Sequence, residues 1–97
     1  MRKVVHIVPS DNYQLFVTFA CDGQDETRLY DMSDELTGVF EYLRDYKHFN
    51  AVCLVDGVPT WFRPNANELD ICPDYVYMHS QVYSPCPTAP LSYTPTV

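Results

Sequence analysis

Ninety-seven residues carrying thirteen acids against six bases, a net charge of −7, describe one small acidic domain. Hydrophobic residues at 46% and charged residues at 20% exclude wholesale disorder, and no apolar run approaches the roughly 18 residues of a membrane span. The acidity weighs against binding a phosphate backbone directly and favours fast encounter with a basic protein partner.

Val4 to Val8 is rich in β-branched residues and stops at Pro9, which has no N–H for a ladder, so it reads as a first strand. Ser10-Asp11-Asn12 is a turn cluster. A second strand follows, in which Tyr13, Leu15, Val17 and Phe19 share one face by alternation. Asp22-Gly23 signals a hairpin into a third strand, Glu26 to Tyr30.

The period then changes. Ser33 is placed to cap a helix, with Asp34 and Glu35 in its first turn, where acids suit the positive helix end. Leu36, Val39, Phe40 and Leu43 recur at i, i+3, i+4 and i+7, the stripe of one amphipathic helix. Gly38 within it costs about 1 kcal/mol against Ala. Tyr46 to Asn50 is a short turn that drops Phe49 into the core.

Ala51 to Val55 is a fourth strand, Asp56-Gly57 a tight turn, and Val58 to Phe62 a fifth strand, with Pro59 near its start arguing for an edge strand or a strand that begins there. Glu68 to Ile71 alternates briefly, as in a bridge. Pro73 opens a helical turn through Met78. Beyond Asp74 there is no Asp, Glu, Lys or Arg, and Pro85, Pro87, Pro90 and Pro95 stand among Ser and Thr. The expectation is therefore one α+β domain over 1–80 and a flexible tail over 81–97. The domain is a small, mostly antiparallel sheet of about five strands, with one amphipathic helix on a face and a short C-terminal helical turn. Trp61, Phe16, Phe19, Phe40 and Phe49 supply its aromatic core.

The chemistry-bearing residues are sparse. There is no GxGxxG, P-loop, HExxH or GxSxG motif. Cys21, Cys53, Cys72 and Cys86 show no CxxC spacing, and Cys72, His79 and Cys86 lack a fourth ligand at a recognisable interval. No metal or cofactor is expected. With no secretory apolar stretch at the start, reduced thiols in a cytoplasm are the default.

The ordered set of motifs resembles the small bacterial family catalogued as domain of unknown function 2442. The matching segments are Val4 to Pro9, Tyr13 to Phe19, Asp22-Gly23, Tyr30-Asp31-Met32-Ser33, Gly38-Val39-Phe40, Asp56-Gly57 with Trp61, and Glu68 to Tyr77. The resemblance covers about residues 3–80. Here Phe62 and Arg63 separate Trp61 from Pro64-Asn65, where the family commonly runs W-P-N-G, and the proline-rich tail lies outside the family's pattern. The resemblance implies a compact α+β fold, no established enzymatic activity, and for some members a toxin–antitoxin or regulatory role beside another small protein. It supplies no catalytic residues.

The reading that follows is a non-enzymatic protein-interaction module, antitoxin-like or regulatory, that binds a small basic partner. Acids on the outer helix face, Glu35 and Glu41, would steer the encounter, and the exposed rings of Tyr75 and Tyr77 would hold it. The alternative is a small-ligand site or minor enzyme using a cleft near Trp61, Asp70 and Cys72. A homo-oligomer through an exposed strand edge is compatible with either.

Overall fold

The computed structural model describes residues 2–84. Its α+β architecture has two antiparallel sheets. The first holds β1 (Val4–Pro9), β2 (Gln14–Ala20), β3 (Asp25–Asp31) and β7 (Gln81–Ser84), in the order β1-β2-β3-β7. The second holds β4 (Cys53–Val55), β5 (Val58–Trp61) and β6 (Leu69–Asp70), in that order. Between them in sequence lie a 3-10 helix (Gly38–Arg44) and the single turn of α1 (Tyr46–Phe49), and α2 (Pro73–Met78) precedes β7.

Alternation organises the first sheet. Leu15, Val17 and Phe19 of β2 are buried, while Gln14, Phe16 and Thr18 between them are half-buried on the opposite face. The buried set meets Val4, Tyr30, Leu43, Phe49, Trp61, Leu69 and Val76 in one core cluster shared by both sheets and all three helical segments. Phe16 departs from the aromatic core expected of it: its position in β2 directs it to the outer face. Phe40 is half-buried, and Phe19, Phe49 and Trp61 are core residues.

The long amphipathic helix is the main difference from the sequence reading. Asp31 Oδ1 accepts the Ser33 N–H at 2.8 Å, so Ser33 closes a turn on the end of β3 instead of capping a helix. Gly38 has φ +58°, a left-handed conformation incompatible with an α-helix interior. The chain therefore turns at Gly38 into a 3-10 helix. Val39 points outward at 64% exposure, and Leu43 alone of the expected stripe within that helix is fully buried. α1 follows at once, its N-terminus closed by Asp45, whose carboxylate accepts the Lys47 N–H at 3.0 Å.

Of the two positions that fit Pro59, an edge strand or a strand start, the structure has the second. It lies in β5, the central strand of its sheet, and is buried. The β5–β6 ladder pairs only Thr60 with Asp70 and Trp61 with Leu69, so no β6 residue calls for a Pro59 donor, and the Pro59 carbonyl accepts the Ile71 N–H at 3.2 Å just beyond it. The Asp56-Gly57 turn has positive φ at both residues, 52° and 78°, the mirror-image turn that matches strand twist. Gly57 carries the hairpin onto β1: its carbonyl accepts the Val4 N–H at 3.1 Å. Strand β7 pairs with β3 through Leu29–Gln81, Arg28–Val82 and Thr27–Ser84, and the remainder of the expected tail, residues 85–97, lies outside the described residues.

Candidate functional site

The second sheet presents a groove of about 210 Å³ on its outer side. The β4–β5 turn puts Asp56 at one end. Glu68 and Asp70 flank Leu69, whose side chain enters the core, so period-two alternation sets both carboxylates outward. The same alternation buries Trp61 and turns Phe62 out, at 63% exposure. Val55 and Val58 complete an apolar floor between the carboxylates. Among the described residues, no lysine or arginine lines the groove. Among the described residues, Asp56, Glu68 and Asp70 make no side-chain hydrogen bond or ion pair. An acidic rim around an exposed ring suits a cationic side chain with an apolar stem.

A second groove, of about 370 Å³, lies between Tyr13, Leu36 and Arg44. Arg44 is already committed there: its Nε donates to the Leu36 carbonyl at 2.7 Å and its guanidinium lies 3.6 Å from Glu41. Its own carbonyl accepts the Tyr13 hydroxyl.

The residues expected to bind a partner are spread over several environments. Glu41 is exposed on the 3-10 helix, beside Arg44. Glu35 is half-buried and accepts the Tyr30 hydroxyl at 2.5 Å. Tyr75 is 44% exposed, stacked on His79 at 4.0 Å, and its ring meets the Tyr30 edge at 6.4 Å. Tyr30 thus bridges Glu35 and Tyr75.

Tyr77 is not the exposed ring the sequence suggested. It is half-buried, sandwiched between the guanidinium carbons of Arg2 at 3.8 Å and Arg28 at 4.2 Å, and its hydroxyl donates to Glu26 at 2.9 Å. Arg28 also pairs with Glu26 at 3.0 Å and donates to Ser80 Oγ and its carbonyl. This cluster fastens α2 and the start of β7 to the first sheet.

The three residues of the alternative cleft do not converge. Trp61 is buried, its indole N–H donating to the Phe49 carbonyl at 2.9 Å. Asp70 lines the acidic groove, and neither Trp61 nor Cys72 lines it with Asp70. Cys72 is exposed at the start of α2. Cys86 lies outside the described residues. Among the described residues, no group of three or more His, Cys, Asp or Glu is placed to hold a metal ion. No helix among them is long and apolar enough to cross a membrane.

The sequence reading missed Asp56, Phe62 and Glu68. The signal for them was present: the Asp-Gly turn exposes Asp56, and alternation about the buried Trp61 and Leu69 exposes the others. Fold and groove together define a small two-sheet α+β domain with an acidic surface groove. No family model, curated protein or solved structure matches the chain.

Proposed function

We propose that this protein is a non-enzymatic interaction module that binds a basic segment of a partner protein along the acidic groove of its second sheet. The observation that carries this reading is the triad of unpaired carboxylates, Asp56, Glu68 and Asp70, around the exposed Phe62. A lysine or arginine of the partner lays its stem on Phe62 and Val58 and brings its charge to the carboxylates. The net charge of −7 steers the approach. The resemblance to domain of unknown function 2442 supports a role beside another small protein, as in an antitoxin-like pairing. Glu41 and the Tyr75 face extend the acidic and aromatic surface available to a larger partner.

The test uses the intact chain and a short peptide of alternating lysine and leucine, with a glutamine-for-lysine peptide as control. Binding by calorimetry is expected for the lysine peptide alone. Neutralising the groove with Asp56→Asn, Glu68→Gln and Asp70→Asn together is expected to weaken it about tenfold, each exposed pair contributing about 0.2–1 kcal/mol. Raising salt from 50 to 300 mM is expected to weaken it as well. Equal affinity of the triple variant and the original chain would remove the groove from the reading.

A further inference from the structure

Strand β6 borders the acidic groove and is the last strand of its sheet on that side among the described residues. Its hydrogen-bonding phase follows from the hairpin before it. The two-residue Asp56-Gly57 turn makes Val55 and Val58 a hydrogen-bonded pair, so Leu54–Pro59 is a non-hydrogen-bonded pair and Cys53–Thr60 a hydrogen-bonded one. Thr60 therefore turns its N–H and carbonyl toward β4, and its pair with Asp70 across β5 and β6 is non-hydrogen-bonded. The Ile71 N–H donates to the Pro59 carbonyl at 3.2 Å, the bond that flanks such a pair. The N–H and carbonyl of Asp70 consequently point away from β5, and among the described residues no group bonds to either. Glu68 and Asp70 are both exposed. At the other side of the sheet the chain is met by β1, whose Val4 N–H donates to the Gly57 carbonyl.

We propose that the partner's basic segment adds to β6 as an extended strand, hydrogen-bonded to the backbone of Asp70 and carrying lysine or arginine at alternate positions. This inference rests on the reading of the groove as a site for a basic segment, and it fixes how that segment lies. A residue paired with Asp70 sits about 5.5 Å from it between Cα atoms and projects its side chain from the same face of the sheet. That face is the groove, because Val58, Thr60 and Phe62 alternate onto it together with Asp70. A cation at the paired position therefore lies beside the Asp70 carboxylate, and a cation two residues along lies beside Glu68. The residues between them project from the face on which Leu69 is buried, where apolar types fit.

Charge selects a basic strand over a second copy of this chain. Pairing β6 with its own copy would set Asp70 and Glu68 against the same acids, and like charges directly opposite are destabilising. Each chain would also bring a net charge of −7 to the contact. Outward acids thus guard this edge against self-pairing, and the same acids receive a strand of opposite charge. Main-chain bonds supply the hold and alternate side chains the specificity, as in strand addition generally.

The experiment uses the intact chain and three peptides of one alternating lysine–leucine sequence: unmodified, N-methylated on the backbone of every lysine, and N-methylated on the backbone of every leucine. All three carry the same charge and side chains. In the proposed pairing the lysine N–H groups face Asp70 and the leucine N–H groups face away. Methylating the lysines is therefore expected to weaken binding about tenfold or more, and methylating the leucines by less than about threefold. Hydrogen exchange of the Asp70 amide should slow in complex with the unmodified and the leucine-methylated peptides. Equal affinities of the two methylated peptides would overturn the strand pairing and leave the acidic groove standing as a side-chain site. Failure of the unmodified peptide to bind would remove the groove reading and this inference together. Self-association that protects the Asp70 amide without peptide would assign the edge to a second copy and overturn the proposal.

Discussion

Tyr30 is almost wholly buried beneath the first sheet, yet its hydroxyl reaches the half-buried carboxylate of Glu35 and donates a 2.5 Å hydrogen bond. The pair ties the end of β3 to the irregular segment before the 3-10 helix. A carboxylate acceptor strengthens such a bond relative to a neutral one. Removing one partner leaves the other desolvated and unpaired. Glu35→Ala is accordingly expected to destabilise the domain by about 1–3 kcal/mol, and Glu35→Gln, which keeps an acceptor oxygen, by less. Urea unfolding of the two variants checks the order. Equal losses would show that a neutral acceptor recovers nothing, and no loss in either variant would show that the contact contributes nothing.

The same phenol gives the fold an alkaline limit. Burial, then the hydrogen bond to Glu35 and the neighbouring Glu35 charge, push the Tyr30 pKa far above its ordinary value of 10.0. The folded chain therefore keeps a proton that the unfolded chain releases. This contribution to stability is complete below pH 10 and is lost as pH rises above it. One such group gives a slope of about 1.4 kcal/mol per pH unit above pH 10. Unfolding free energies measured between pH 9 and 11.5 are expected to bend downward near pH 10. Tyr30→Phe should flatten that bend, whatever its effect at neutral pH.

At the acid end, Asp31 accepts the backbone N–H of Ser33 at 2.8 Å, and this bond, with the polar side chains of Ser33 and Gln14 nearby, holds its carboxyl below the ordinary carboxylate range. The stabilisation is present above about pH 4 and lost as pH falls through the lowered value. Carbon-detected NMR titration should find the Asp31 midpoint below about 3.9, and Ser33→Pro, which removes the donor N–H, should raise it. A midpoint unmoved by that change would assign the shift elsewhere.

Gly38 separates two accounts of one segment by the sign of a single substitution. In an α-helix interior, Gly38→Ala stabilises by about 1 kcal/mol. With φ at +58°, the same substitution places a side chain in the left-handed region and costs about 1–2 kcal/mol, although open space surrounds the added carbon. Thermal unfolding is expected to show a lower midpoint for the alanine variant, and a D-alanine at 38 should restore it.

Arg28 joins the first sheet to the chain beyond α2 through Glu26, Tyr77 and Ser80. Its side chain and that of Glu26 are each only 13% exposed. Arg28→Ala leaves a largely buried carboxylate without its cation, at an expected cost of about 2–4 kcal/mol. Arg28→Lys keeps the charge but not the fork that reaches both Ser80 atoms, and should recover only part of the loss. Hydrogen exchange should localise the effect, with faster exchange in β7 and α2 than in β4 and β5. Uniform acceleration throughout would argue against a local fastening.

The acidic surface, the α+β class, both Asp-Gly turns and the buried face of β2 were legible in the sequence, because each rests on local information. Alternation needs only the next two residues, and an Asp-Gly turn only its own backbone. Phe49 and Trp61 were readable as core for the same reason. Tertiary structure alone decided what depended on distant partners. The stripe from Leu36 to Leu43 has helical spacing, but its form was set by the turn at Asp31, the left-handed Gly38 and the anchoring of Glu35 by Tyr30. Tyr77 looked like a surface ring until Arg2 and Arg28, 75 and 49 residues away in sequence, closed over its faces. Pro59 fitted an edge strand or a strand start, and the pairing of β5 with both β4 and β6 decided for the start. The acidic groove likewise required two separate turns of chain to meet on one sheet. Its carboxylates are written in the sequence, but only the pairing of β5 with β6 makes them neighbours.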